Sequence, residues 1–571
     1  MCGIFMMLNN ALGNGQNVFT KEFILDQFNR GYRRGPESSK LLHLSDNCSV
    51  GFHRLAINGL TEESMQPIWF NNKMLVCNGE IYNYKELFRY MNAEPTTNSD
   101  CEIILHLYCR YGIDQTVRML DGVFAFAIYD MDIKQIIVAR DPYGVRPLYS
   151  WSGPNNIKMF ASEMKLINKF HQQAVADISH EEYEKGNLDI TQFLPGHYMV
   201  IHLHHYFSMW MYNETTQYHS ISSIASFCYK PAVNENIMHY LRMAVEKRCL
   251  TTERPIACLL SGGLDSSLIT ALVREFYDKH CPTKVLETYS IGLADSEDLK
   301  YAKFVANHIG TRHTEIIITE DEFFRAIPNV IEAIESYDTT TVRASIGNYL
   351  VGEYISKNSC AKVIFNGDGA DELCGGYLYM HKAPDCIEFD KETKRLLQDI
   401  YLFDVLRSDK CISSHGLEPR TPFLDKTFVQ YYLSLPANLR CHSSWGECEK
   451  YLLRNAVASV NNLLPDEVLW RTKEAFSDGV SGHHRSLYTI LQEKIASIPN
   501  IEEEYADSLK LSHLNPTTLE QYYYRRIFDG IYPQNAKIVP YFWMPKYTNS
   551  NDPSARTLTA LYNSRMITKH S

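Results

Sequence analysis

Short apolar runs separated by turn-forming residues fill the N-terminal third of the chain: "KMLVCNGEIYNY", "GVFAFAIYD", "QIIVARDPYG" and "GHYMVIHL". Runs of that length bounded by Gly, Pro, Asn and Asp predict β-strands. A few helical stretches such as Asp100 to Tyr111 fall between them, so this part reads as a mainly antiparallel sheet domain. Around "MYNETTQYHSISS" (Met211 to Ser223) the polarity rises and the apolar period lapses, which predicts a linker. The pattern then becomes buried strand, turn, helix: "PIACLL", "SGGLDSS", "LITALVREFYD", followed by "VLETYSI", "DLKYAKFVANHI", "HTEIII", a long helical region and "AKVIF". Strands alternating with helices predict a parallel sheet covered on both faces. From about Ile387 helical patterns dominate, and the end is polar and rich in Asn and Ser. The chain thus divides into residues 1–205, a linker at 206–224, a second domain over 225–545 and a tail at 546–571.

Composition narrows the class. Of 571 residues 45% are hydrophobic and 22% charged, as in a soluble globular protein, and a net charge of −11 argues against a surface that wraps nucleic acid. No two of the 15 cysteines stand in a C-x-x-C arrangement, which points to reduced thiols rather than a zinc site or redox pair. The start lacks a basic n-region, and no apolar run approaches the roughly eighteen residues of a membrane span. The expectation is a cytoplasmic protein without nucleic-acid or membrane partners.

Two loops carry candidate chemistry. "SGGLDSS" (Ser261 to Ser267) lies between a buried strand and a helix start, where small residues let N–H groups and hydroxyls approach a phosphate at the positive end of the helix. Asp265 would repel that phosphate unless a cation lay between, which suggests Mg²⁺; the plainer reading is a turn with Asp265 as helix cap. Without G-K-[ST] the loop is not a Walker A motif, and pyrophosphate release suits it better than γ-phosphoryl transfer. "FNGDGADELCGGY" (Phe365 to Tyr377) follows a later strand. Ligands in such sheets bind beyond the carboxyl ends of strands, so both loops should face one crevice, with Asp371 as second metal ligand beside Asp265.

The ordered set "MCGIF", "NGEIYN", "SDCE", "SGGLDSS", "ESYDTTTVRAS", "NGDGADELCGGYLYMHKAP", "GLEPRTPFLDK" and "RTKEAFSDG" resembles the B-type, glutamine-hydrolysing asparagine synthetases, from residue 1 to about Gly479. "PYFWMPKYTNSNDPSARTL" is similar to the C-terminus of animal members. The resemblance implies two domains, one α+β and one α/β. The first is an N-terminal nucleophile (Ntn) hydrolase αββα sandwich acting as glutaminase. The second is a doubly wound parallel-sheet synthetase of the adenine nucleotide α-hydrolase type, with added helices.

The resemblance also implies roles. With Met1 removed, Cys2 combines a thiol nucleophile with an α-amine base whose unperturbed pKa is about 7.7–8.0. Asn78 and the Gly79 N–H would form the oxyanion hole, and Arg54, Asn78, Glu80 and Asp100 would bind glutamine. Leu260, Ser261, Gly262, Gly263, Asp265, Ser266, Ser267, Ile291, Asn366 and Gly367 would bind ATP. Thr340, Thr341 and Arg343 match the aspartate side, and Lys473 matches a lysine that stabilises phosphate charge. Asp368 stands where some relatives carry a glutamate thought to assist ammonia attack; it is one methylene shorter. Asn366 replaces a common serine, and Glu37 replaces a more usual aspartate, a change expected to be mild. Substrates would be glutamine, aspartate and ATP with Mg²⁺, products asparagine, AMP and pyrophosphate, and a homodimer is the assembly the resemblance allows. Ammonia would cross between the domains through an internal passage lined by small and apolar residues. Two rivals differ in class: an amidotransferase acting on another carboxylic acid, and a non-catalytic binding descendant.

Overall fold

The structure is a computed structural model that describes the chain except residues 1, 12–16, 45, 177, 205, 207, 223–231, 472–485, 509–512, 549–552 and 554–571. Its N-terminal part holds two six-stranded antiparallel sheets. One runs in the order Thr191–Gln192, Tyr149–Ser152, Lys158–Ala161, Gly3–Leu8, Cys48–Arg54, Ser38–Leu44, and the other Met209–Gln217, His197–His204, Gln135–Arg140, Gly122–Asp130, Lys73–Ile81, Ile68–Phe70. Side chains two apart share a sheet face. Ile4, Met6 and Leu8 therefore meet Met74, Val76, Ala125 and Ala127 in the core between the sheets. Phe5 and Met7 face outward to Ile24, Phe28 and Phe170 of covering helices. On the opposite outer face Leu75, Cys77, Phe124 and Phe126 pack on Leu87, Phe88, Ile104 and Leu107. The result is the expected αββα sandwich.

The stretch read as a linker behaves differently. Residues Met209–Gln217 form an edge strand paired antiparallel with His197–His204, its register shifted between Val200 and Ile201. An edge strand with a bulge and one solvated face needs no apolar periodicity, because its neighbour supplies the hydrogen bonds. Trp210 pins it: its N–H donates to Asn9 Oδ1 at 2.8 Å and its indole to Asp46 O at 2.6 Å. The helix expected from Asp100 opens as a 3₁₀ turn, Asp100–Glu102, and continues as Ile103–Met119, bent where Gly112 takes φ 73°.

The second part is built on a five-stranded, all-parallel sheet ordered Arg312–Ile317, Glu287–Gly292, Ile256–Leu259, Val363–Phe365, Glu418–Arg420. Ile256, Cys258, Val363 and Phe365 pack on one helical layer with Leu268 and Leu272, and Ala257 and Ile364 on the other with Val342 and Ile346. The chain leaves Ile256–Leu259 toward one edge and returns at Val363–Phe365 to build the other, so these neighbours form the topological switch point, where a crevice opens beyond their carboxyl ends.

Buried charge joins the two parts. Asp409 takes Arg34 at 2.8 Å and Arg146 at 3.3 Å, and Glu335 accepts the backbone N–H groups of Met164 at 2.8 Å and Lys165 at 2.7 Å.

Candidate active sites at two ends of one chain

The first site gathers at the start of the Gly3–Leu8 strand. Gly3 lies opposite His53, which brings Cys2 beside Arg54 and Leu55. The Cys2 thiol donates to Leu55 O at 3.5 Å, and burial pushes it up to about 11, so near neutral pH it holds its proton until a base removes it. Asn78 and Gly79 sit inside the Lys73–Ile81 strand, not in a hairpin turn, opposite Ala125 and Phe124. A Cβ on Gly79 would meet Val123 O at 2.4 Å. The Asn78 amide is fully buried, and neither its nitrogen nor its oxygen finds a hydrogen-bond partner among the described residues. A buried amide with no partner costs free energy unless something else completes it.

Arg54 is buried and donates through Nη2 to Gly59 O at 2.5 Å and Thr61 O at 2.8 Å. Asp100 accepts from Ile81 N at 2.7 Å, tying it to the strand that carries Asn78. Burial pushes the Asp100 carboxyl up to about 6, against the pull of that N–H. Glu80 is likewise raised, by burial and by Asp100 beside it, and its Oε2 accepts from Asn58 at 2.7 Å. Arg420, with Nη2 3.3 Å from Glu80 Oε2, offsets part of that penalty. A cavity of about 840 Å³ bordered by Asn58, Tyr84, Thr97, Asn98 and Glu253 opens at this end.

The second site is the crevice at the switch point, a cavity of about 220 Å³ lined by Ser261, Gly263, Asp265, Ser266, Thr340, Asn366, Gly367, Asp368 and Asp371. Gly263 precedes the Leu264–His280 helix without a capping side chain, leaving N–H groups of the first turn for an anion. Ser261 and Ser266 hydroxyls lie 3.0 Å apart. Gly262 takes φ +75°, and a Cβ there would strike Ala302 N at 2.5 Å. Gly367 brings the two loops together: a Cβ on it would lie 2.7 Å from Asp265 Cβ and 2.9 Å from Ser266 N.

Not every expected residue arrives. Leu260, Gly262, Ser267 and Ile291 lie behind the lining, Ile291 within the apolar core, while the Ser267 hydroxyl is buried without a partner among the described residues. Thr340, Ala344 and Asn348 recur at helical spacing along Thr339–Asn358 and face the cavity. Thr341 instead is held by the helix cap, its N–H and hydroxyl donating to Oδ2 of the N-cap residue Asp338 at 2.8 and 2.7 Å. Arg343, expected on the aspartate side, turns to Glu520, with Nε and Nη2 donating at 2.7 and 2.6 Å, because a buried guanidinium needs a carboxylate and the Leu519–Ile531 helix supplies one. Lys473 lies outside the described residues. Asn366 spends its bulk on neighbours, donating to Asp368 Oδ2 at 2.5 Å and Ser408 Oγ at 2.7 Å.

Sequence reasoning missed the principal cation. Lys450 Nζ, its side chain 1% exposed, lies 2.6 Å from Asp265 Oδ2 and 2.5 Å from Asp371 Oδ1. Arg407, Arg454 and Arg471 also line the crevice. The available signal was "EKYLLRNA", where Lys450 and Arg454 stand four apart at buried positions among Leu453, Ala456 and Val457. Glu37, by contrast, ties the two parts together, accepting Ala56 N at 2.7 Å and Arg254 Nη2 at 2.6 Å. Because Asp265 and Asp371 reach the same nitrogen, their carboxylates converge on one point beside the serine loop. That donor set fits Mg²⁺ completed by phosphate oxygens; among the described residues no group of three or more His, Cys, Asp or Glu would cage a metal alone.

The comparisons match both halves. The model of a glutamine amidotransferase domain covers residues 1–212, and the asparagine synthase model covers 236–393 and 387–549. Curated relatives named glutamine-hydrolysing asparagine synthetase include those of Bos taurus (42% identical over 543 residues), Gallus gallus (43% over 544) and Homo sapiens (41% over 551), each alignment spanning 92% of this chain and 94% of the relative.

Proposed function

The chain belongs to the glutamine-hydrolysing asparagine synthetases, and on that footing we propose how its residues divide the reaction. The carrying observation is the fully buried Asn78 amide, without a hydrogen-bond partner among the described residues, on a strand of the sheet that faces the one Cys2 leads into, in the same chain as the crevice where Asp265 and Asp371 converge.

In the N-terminal half, removal of Met1 frees the Cys2 α-amine, which takes the thiol proton. The thiolate attacks the glutamine amide carbon, the tetrahedral oxyanion is held by Asn78 Nδ2 and the Gly79 N–H, ammonia leaves, and water cleaves the γ-glutamyl thioester. Arg54 receives the α-carboxylate; Asp100, with Glu80 near it, receives the α-ammonium.

In the C-terminal half, the Ser261–Ser267 loop and Lys450 hold the phosphates of ATP while the aspartate side-chain carboxylate attacks the α-phosphorus and pyrophosphate leaves. Mg²⁺, held by Asp265 and Asp371, neutralises phosphate charge when bound. Thr340 borders the aspartate side, and Gly367 lets the nucleotide approach the backbone. Ammonia then attacks the β-aspartyl-adenylate, Asp368 lying at the rim to accept a proton, and AMP leaves. Cytoplasmic location and a homodimer belong to the same reading. Among the described residues no helix is long and apolar enough to cross a membrane.

Purified protein lacking Met1, supplied with glutamine, aspartate, ATP and Mg²⁺, should yield glutamate, asparagine, AMP and pyrophosphate in equal amounts. Glutamate without asparagine would rule out aspartate as the acceptor.

A further inference from the structure

Residues Thr251 to Arg254 lie on the synthetase side of the chain, between the Val233–Leu250 helix and the Ile256–Leu259 strand; Thr251 is anchored there by Arg420 Nη2, which donates to its carbonyl at 2.9 Å, yet the segment also bonds the N-terminal domain. Glu253 Oε1 accepts the Gly59 N–H at 2.6 Å, and the Glu253 N–H donates to Ile57 O at 3.0 Å. Arg254 Nε donates to Ala56 O at 2.8 Å while its Nη2 holds Glu37, which in turn accepts the Ala56 N–H. Asn58 Nδ2 donates to Thr251 O at 3.1 Å and to Glu80 Oε2 at 2.7 Å. Each of residues 56–59 is therefore bonded by this short segment.

The gripped loop follows Arg54 directly, and its Gly59 carbonyl is one of the two that orient the Arg54 guanidinium. Gly59 has no slack: its φ is +61°, and a Cβ would meet Ser64 Oγ at 2.3 Å and the Asn98 backbone at 2.8 Å. The N–H of Gly59 is set by Glu253 and its C=O sets Arg54, so displacing Glu253 displaces the guanidinium. Ångström-scale misplacement of a binding group is costly when geometry carries recognition.

We infer that Glu253 and Arg254 are positioning residues of the glutamine site, contributed by the synthetase half. This rests on the reading of Arg54 as the anchor of the glutamine α-carboxylate. In the full chain, Glu253→Ala and Arg254→Ala raise KM for glutamine roughly tenfold or more, the range for a lost charge-assisted hydrogen bond, with kcat for glutamine hydrolysis within about twofold of the parent. Glu253→Gln keeps the acceptor oxygen and restores KM. Asparagine formation from ammonium salts, which bypasses this site, keeps its rate. Unchanged glutamine KM in both alanine variants overturns the inference, as does a parallel fall of kcat and ammonia-supported synthesis that Glu253→Gln does not reverse. Arg54→Lys, measured alongside, separates the premise: if it leaves glutamine KM unchanged, the anchor reading fails and the inference with it. If it raises KM while the Glu253 and Arg254 variants do not, the positioning role alone fails.

Discussion

At the scale of single residues, burial sets the chemistry of the glutamine site. Cys2 is pushed up to about 11, so the thiol depends on its own terminal amine as base. Cys2→Ala is therefore expected to abolish glutaminase and glutamine-dependent synthesis while ammonium salts still support asparagine formation. Asn78→Ala, which removes one oxyanion donor, should lower kcat for glutamine hydrolysis by about 10²–10³. Asp100 titrates at about 6 in the free protein, and only its ionised form attracts an α-ammonium. Glutamine KM should therefore rise as pH falls through that value, and Asp100→Asn should flatten the profile at a high KM. The same raised carboxyl works against folding: the native state binds the extra proton between the unfolded value and about 6, so its contribution to stability declines as pH rises through that window. Cys2, Arg54, Asn78 and Asp100 enter as candidates through motifs that resemble the family's, each contained in a short run of sequence. Lys450 does not, since a lysine beside a helix reads as solvated surface until the fold brings Asp265 and Asp371 to it.

At the scale of elements, glycines decide how close loops come. Gly367→Ala places a Cβ 2.7 Å from Asp265 Cβ, so the two crevice loops must part; we expect loss of ATP turnover to AMP, measured by pyrophosphate release, with glutaminase intact. Gly376 backs the lysine in the same way, since a Cβ there would lie 2.0 Å from both Asp371 Oδ1 and Lys450 Cε. The helix Thr339–Asn358 shows why adjacency in sequence misleads. "TTTVRAS" reads as one aspartate-side patch, but Thr340 borders the crevice, Thr341 donates to its own cap Asp338, and the guanidinium of Arg343 pairs with Glu520. The Met209–Gln217 strand fails for the converse reason: its stability comes from the neighbouring strand, and its own pattern is that of a linker.

At the scale of the whole molecule, the two parts share buried ion pairs around Asp409, Arg34 and Arg146. Removing Asp409 takes from Arg34 and Arg146 their nearest carboxylate and leaves them only Glu163 at 3.7 Å and Glu418 at 3.6 Å; breaking a buried pair costs up to about 3–5 kcal/mol, so Asp409→Ala should lower the thermal midpoint by several degrees in a denaturation scan, whereas mutating exposed pairs such as Arg89–Glu86 should not. The sequence by itself determined the two domain types and the family, because strand and helix periods and contiguous motifs are written within a few residues of one another. The tertiary structure alone decided which side chains meet: Lys450 between two aspartates, Arg343 drawn away to Glu520, and Glu253 with Arg254 reaching across to the loop after Arg54. Those pairings join residues tens to hundreds of positions apart, and buried charge chooses its partner by the space and carboxylates around it, which no local pattern encodes.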